Sequence, residues 1–242
     1  MKKLTTLVLI LFLGTSLHAQ WWGNDKVKGN GNVTTETRNT GEYDGISSAG
    51  FMNIVLVSGT EGNITIKGES NLLEYIETEV SGNNLNIKVK KGYNLKPSSG
   101  KQVIITIPVK GISKLSLAGS GTIISETTLE SDDFKLSVAG SGNLKTSIEA
   151  DNIKASVAGS GNITLSGKAG NMKLSIAGSG NLNATEMKVT NINASIAGSG
   201  NAKIHCDGSI KARIAGSGNL KYSGNPTLED TKSVGSGKVI KI

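Results

Sequence analysis

The sequence predicts an all-β protein: a single-stranded, right-handed parallel β-solenoid (β-helix) of about 19 residues per coil, with irregular N-terminal coils. Three observations predict it. The unit Gly-Ser-Gly recurs with its serines at Ser120, Ser141, Ser160, Ser179, Ser199, Ser217 and Ser236, spaced 21, 19, 19, 20, 18 and 19 residues. That period is too short for helical-pair repeats, which run to about 33 residues or more, and suits one coil of short strands joined by tight bends. Each unit follows a segment such as "KLSVAGSG" or "KLSIAGSG", in which polar and apolar positions alternate with the period of a strand. The apolar positions then recur as columns. One is Phe134, Ile153, Met172, Ile192, Ile210. The next is Leu115, Leu136, Ala155, Leu174, Ala194, Ala212, and a third is Leu117, Val138, Val157, Ile176, Ile196, Ile214. A fourth follows each glycine unit: Ile123, Leu144, Ile163, Leu182, Ala202, Leu220, Val239. In coils stacked about 4.8 Å apart like packs on like, and seven coils make a rod of roughly 34 Å.

The first residues stand outside this fold. "MKKLTTLVLILFLGTSLHAQ" has basic Lys2 and Lys3, an apolar run from Leu4 to Leu13 and small Ala19, so residues 1–19 read as a secretory signal peptide. The run is too short to span a membrane. No second apolar run follows, so the mature chain is expected to be exported, without a transmembrane segment, to the periplasm, the cell surface or the medium. Residues 20–42, polar and rich in Gly and Asn after two tryptophans, read as a flexible leader. Residues 43–242 read as one domain, irregular over 43–110 and regular over 111–242. Within the irregular part "GFMNIVLVSG", "GNITIKGES", "NNLNIKVKKG" and "KQVIITIPVKG" read as strands, and "NLLEYIETEV" at 71–80 as a short helix or a strand.

In the regular part the glycines turn the corners. Gly140 and Gly142, Gly159 and Gly161, Gly178 and Gly180, Gly198 and Gly200, and Gly216 and Gly218 supply backbone angles closed to other residues. Asn143, Asn162, Asn181, Asn201 and Asn219 follow them as a column whose amides can bond from coil to coil. A second turn column reads Asp133, Asn152, Asn171, Asn191, Ser209.

Composition excludes several chemistries. Removing the signal lowers the formal charge from +7 to +5, since 26 Lys+Arg less two leaves 24 against 19 acids. That mild excess, with few aromatics for base stacking, does not indicate nucleic acid and favours acidic surfaces or glycans. Cys206 is the only cysteine and His205 the only histidine of the mature chain, so a disulfide, a zinc cluster and a multi-histidine metal site are excluded. Cys206 reads as a small buried hydrophobe and His205 as a solvated residue without partners. The glycine loops lead into strands, whereas phosphate loops need a helix N-terminus. Calcium repeats need an acid where this chain carries Asn, Thr or Lys. No cofactor is expected. A glycan-cleaving enzyme needs paired carboxylates; Asp133 and Asp151, on adjacent coils, are the pair to inspect, and solvated turn charges are the simpler account.

One surface feature stands apart. Lys114, Lys135, Lys154, Lys173 and Lys211 occupy one outward position of successive coils, with Asn193 breaking the file. Exposed lysine is ordinary on sheets, where it deters association; the functional reading is a track for an anionic polysaccharide or other acidic polymer.

"YDGISSAGFMNIVLVSG" at 43–59, "ITIKGESNLLEYIETEVSGNNLNIKV" at 64–89 and the repeated "AGSGN" after "KLS[VI]" carry a resemblance covering about 43–242. The chain resembles the exported Bacteroidetes-type "putative auto-transporter adhesins" defined by the head GIN domain. The resemblance implies an exported solenoid with an adhesive role, no enzyme activity and no catalytic residues. Only "KVIKI" follows Gly237, so it does not extend to a translocator barrel. The expected function is therefore non-enzymatic binding in the cell envelope. The alternatives are a structural envelope protein that self-associates, as a homo-oligomer, through its solenoid ends, and a polysaccharide-active enzyme.

Overall fold

The computed structural model describes residues 25–242; the expected signal peptide at 1–19 and the first residues of the expected leader lie outside the described residues. Stacked coils form a β-solenoid of about 7 turns, ~19 residues apart.

The N-terminal part is a cap over the first coil. β1 (Asp25–Lys28) and β2 (Val33–Gly41) precede β3 (Gly45–Gly50) and β4 (Asn53–Ser58), the two arms of that coil. The chain then leaves the stack. β5 (Gly62–Glu69), one helical turn α1 (Ser70–Leu73), β6 (Ile76–Ser81), β7 (Asn84–Val89), β8 (Tyr93–Lys96) and β9 (Ile104–Val109) follow before β10 (Lys114–Gly119) rejoins it. β7 lies parallel along one edge of β3 and β10 along the other. β9 lies on β4 in the same manner. Antiparallel strands complete the cap: β6 on β7, β5 on β9 and β2 on β5. The irregular coils of the sequence are thus one coil, a second layer of β7 and β9 laid parallel on it, and antiparallel strands beyond. The stretch 71–80 holds both structures, the end of α1 and then β6. Gly82 and Asn83, at φ 55° and 59°, make the turn from β6 to β7, with the twist a tight hairpin requires.

The expected leader is corrected over its described part. β1 pairs with β8, and β2 pairs with β5 from Val33 opposite Glu69 to Gly41 opposite Gly62. β2 reads "VTTETRNTG", dense in β-branched residues that favour a strand, while the run "GNGN" at 29–32 forms the link before it. Arg38 of β2 donates to the carbonyl oxygens of Leu73 and Ile76. Glu69, 1% exposed, accepts from the Gly31 N–H at 2.6 Å and from the Ser98 N–H and hydroxyl at 2.8 and 2.6 Å. The Ser98 hydroxyl foremost, with the two backbone N–H groups, holds this carboxyl below its ordinary value against the opposing effect of burial.

From β10 the stack is regular. β11 (Thr122–Gly140), β12 (Asn143–Gly159), β13 (Asn162–Gly178), β14 (Asn181–Gly198) and β15 (Asn201–Gly216) each run through most of a coil and pair parallel with the next. Phe134, Ile153, Met172, Ile192 and Ile210 stack at 1–2% exposure, and the other apolar columns are buried beside them. At the corners Gly159 has φ 108°, and a Cβ there would stand 2.7 Å from the Gly140 carbonyl oxygen. β16 (Asn219–Ser223) pairs with β15 and then with β18 (Val239–Lys241), and β17 (Leu228–Val234) pairs with β15. The register of β17 sets Glu229, Thr231 and Ser233 over Ile210, Ala212 and Ile214, so three apolar columns end in polar residues. No helix among the described residues is long and apolar enough to cross a membrane.

Candidate functional site

Alternation fixes which side chains reach the surface. In each coil the residue of the Phe134 column points inward, so the residues on either side of it point outward. Parallel register without slippage then lines those neighbours into two files. The first is Lys114, Lys135, Lys154, Lys173, Asn193, Lys211, all exposed, ending at Asp230. Among the described residues no ion pair involves any of these five lysines. Asp230, in register with Lys211 at the end of the file, is ion-paired with Arg213 at 2.6 Å; that hydrogen bond foremost, with the charges of Arg213, Lys211 and Lys232, keeps its carboxyl below the ordinary value against the opposing effect of burial.

The second file is Asp133, Asn152, Asn171, Asn191, Ser209. Its side chains form a ladder: Asn152 donates to Asp133 at 3.1 Å, Asn171 to Asn152 at 3.0 Å and Asn191 to Asn171 at 3.1 Å. Ser209 closes it, donating its hydroxyl to Asn191 Oδ1 at 2.8 Å. A groove of about 630 Å³ runs along both files from Asp133 and Lys135 to Ser209 and Lys211. Beyond the lysines lies a third outward file, Ser116, Ser137, Ser156, Ser175, Ser195, Arg213.

The AGSGN asparagines lie on a different corner. Asn162 donates to Asn143 at 2.9 Å, Asn181 to Asn162 at 3.0 Å, Asn201 to Asn181 at 3.2 Å and Asn219 to Asn201 at 3.0 Å. The last acceptor takes the Lys238 N–H at 3.2 Å. Their glycines approach the coil below too closely for a side chain: a Cβ on Gly161 would meet Val138 Cγ1 at 2.5 Å and the Gly142 carbonyl oxygen at 2.7 Å. The glycine loops thus let successive coils approach more closely than a side chain would allow.

The pair singled out in the sequence does not form: Asp133 sits opposite Asn152 rather than Asp151. The carboxylates that the register does set opposite each other are Glu130 and Glu149, and Glu149 is ion-paired with Lys168 at 2.6 Å. Among the described residues no group of three or more His, Cys, Asp or Glu side chains could hold a metal ion. His205 differs from the sequence reading: it has partners. Its Nδ1 lies 3.0 Å from Ser223 Oγ and its Nε2 3.2 Å from Asp207 Oδ2. Ser223 is in register with His205 on the next coil, a proximity invisible until the register is known. Asp207 is exposed and its other oxygen accepts the Asn225 N–H at 3.1 Å, so the row pins the last turn to β15. A groove of about 320 Å³ reaches Asp207 of this row, and neither His205 nor Ser223 lines it. Cys206 is buried, with its thiol pushed up by burial and set 3.2 Å from the Thr190 carbonyl oxygen.

The family model described as "Putative auto-transporter adhesin, head GIN domain" matches residues 42–226. The chain belongs to this family. Solved structures share the fold. A putative adhesin from Bacteroides fragilis is 24% identical, with a TM-score of 0.79 over 89% of this chain and 100% of that one. A putative lipid binding protein from Parabacteroides distasonis is 25% identical, with a TM-score of 0.71 over 90% of this chain and 100% of that one. A putative adhesin from Parabacteroides merdae is 24% identical, with a TM-score of 0.67 over 90% and 99%. No curated protein matches the chain.

The groove itself was not legible in the sequence of this head GIN protein. Both files were, as columns, but whether the surface between two outward files is concave depends on backbone geometry around 133–135 and its equivalents. Periodicity carries no signal for that.

Proposed function

We propose that this head GIN protein is an exported, non-enzymatic, adhesin-type binding protein that retains acidic polymer on its lysine face. The observation that carries the reading is the file of five lysines in register with no carboxylate partner. Ammonium groups left unpaired at the coil spacing attract a polyanion more strongly than scattered charges do. Family membership supports the adhesive role and export. The test is retention of the mature chain on an immobilised acidic glycan across a salt gradient. Lys135→Glu, Lys154→Glu and Lys173→Glu together are expected to abolish it; unchanged retention would refute the reading.

End-to-end stacking is the second reading, favoured by the exposed Leu228, Val234 and Ile242 of the last turn. Against it stand Glu229, Thr231 and Ser233, which give the end of the core a polar surface. Sedimentation across concentration separates the two: a concentration-independent monomer removes the stacking reading.

A further inference from the structure

We infer that the groove between the lysine and amide files seats an acidic polysaccharide with one carboxylate per sugar, extended along the solenoid axis, one sugar to a coil. This rests on the lysine face being the binding face and adds the occupant's class, direction and length. Direction follows from where charge recurs. Across the face, each step of two residues changes the chemistry, from Asn152 to Lys154 to Ser156; along the axis it repeats, Lys135 to Lys154 to Lys173. The repeat is about 4.8 Å, close to the advance of one hexopyranose in an extended chain. A polymer with one carboxylate per sugar therefore meets an ammonium on every coil but that of Asn193, whereas a polymer charged at irregular intervals does not.

The amide file supplies the neutral half of the site. Asn152 and Asn171 each use one N–H and accept one hydrogen bond in the ladder. Each amide keeps a second N–H and a second lone pair, which suit sugar hydroxyls. The groove has ends: it runs from the coil of Asp133 and Lys135 to that of Ser209 and Lys211, and Asp230 follows Lys211 in the file. The site is therefore finite, about five coils long at the spacing of stacked strands.

The experiment titrates oligogalacturonates, dimer to octamer, against the mature chain by calorimetry. Affinity is expected to rise about 1.5- to 5-fold per sugar, the range of an exposed ion pair, up to about the pentamer and then level off. Asn193→Lys, which fills the gap in the file, is expected to tighten pentamer binding by the same factor. Asn152→Ala with Asn171→Ala, at unchanged charge, is expected to weaken it about 2- to 10-fold, the span of one hydrogen bond. Affinity already level at the dimer, or no response to Asn193→Lys, overturns axial seating; the lysine-face reading survives if the triple Lys→Glu chain still loses acidic-glycan retention. Tighter capture by phosphatidylglycerol vesicles than by the pentamer overturns the polysaccharide in favour of a lipid surface. Absence of any retention by the unmodified chain takes down the lysine-face reading itself.

Discussion

The lysine file has a measurable cost in stability. Lys154 is flanked in register by Lys135 and Lys173. Two unit charges about 4.8 Å apart repel by about 0.9 kcal/mol at the dielectric of water. Lys154→Gln removes two such repulsions, about 1.7 kcal/mol before screening; a Debye length of about 8 Å at physiological salt leaves roughly half. The long side chains splay apart, which makes these figures a ceiling. One kcal/mol raises the melting temperature of a domain this size by about 2–4 °C. The assay is thermal unfolding of the mature chain, followed by circular dichroism. Lys154→Gln is expected to melt higher than the parent at low salt. The gain should vanish at about 1 M salt, where the Debye length is about 3 Å. The same variant should hold acidic polymer more weakly. Stability and binding then move in opposite directions, as they do where charge is kept for a ligand. A variant that melts lower than the parent at both salts would refute the reasoning, because Lys154 would then be a packing residue.

Three further outcomes test the fold. Gly159→Ala puts a Cβ 2.7 Å from the Gly140 carbonyl oxygen at φ 108°, and is expected to lose at least about 1–3 kcal/mol, read as a lower urea midpoint. Ser48 has a buried hydroxyl with no hydrogen-bond partner, in the column of Leu117 and Ile87, so Ser48→Ala is expected to gain about 1 kcal/mol by the same urea measurement. Glu69 titrates below its ordinary value, so its stabilisation is complete above the unfolded carboxyl range near pH 4.3 and is lost as pH falls through the lower folded value. Acid unfolding of Glu69→Gln should lack that component, and hydrogen exchange at residues 29–31 should quicken; an unchanged acid profile would contradict the assignment.

The regular coils were legible because each column repeats one chemistry. Leu144, Ile163 and Leu182 can occupy only equivalent places, so the register read from spacing is the register found. The cap was not legible. Residues 64–66 and 85–87 alternate as the solenoid strands do, yet β5 pairs antiparallel with β2 and β9, and β7 pairs antiparallel with β6. Alternation identifies a strand and its buried face, and it is silent on the direction of the neighbour. Of the site, the two files were legible as columns, while the groove and the Ser223–His205–Asp207 row needed the bend and the register.

The placement of the cap also sets an order of events. Neighbouring regular coils join residues 19 apart, as Asn143 and Asn162 do. The cap joins residues much further apart: Ser113 donates to Asp44 across 69 positions. Closing long loops costs more entropy and slows folding. β3 is sandwiched between β7 and β10, and the cap strands also pair among themselves, all within residues 33–109. A chain synthesised from its N-terminus therefore makes the segment with the long closures first and the short-range coils last, so the cap is expected to be set down slowly and the coils, once made, to close quickly.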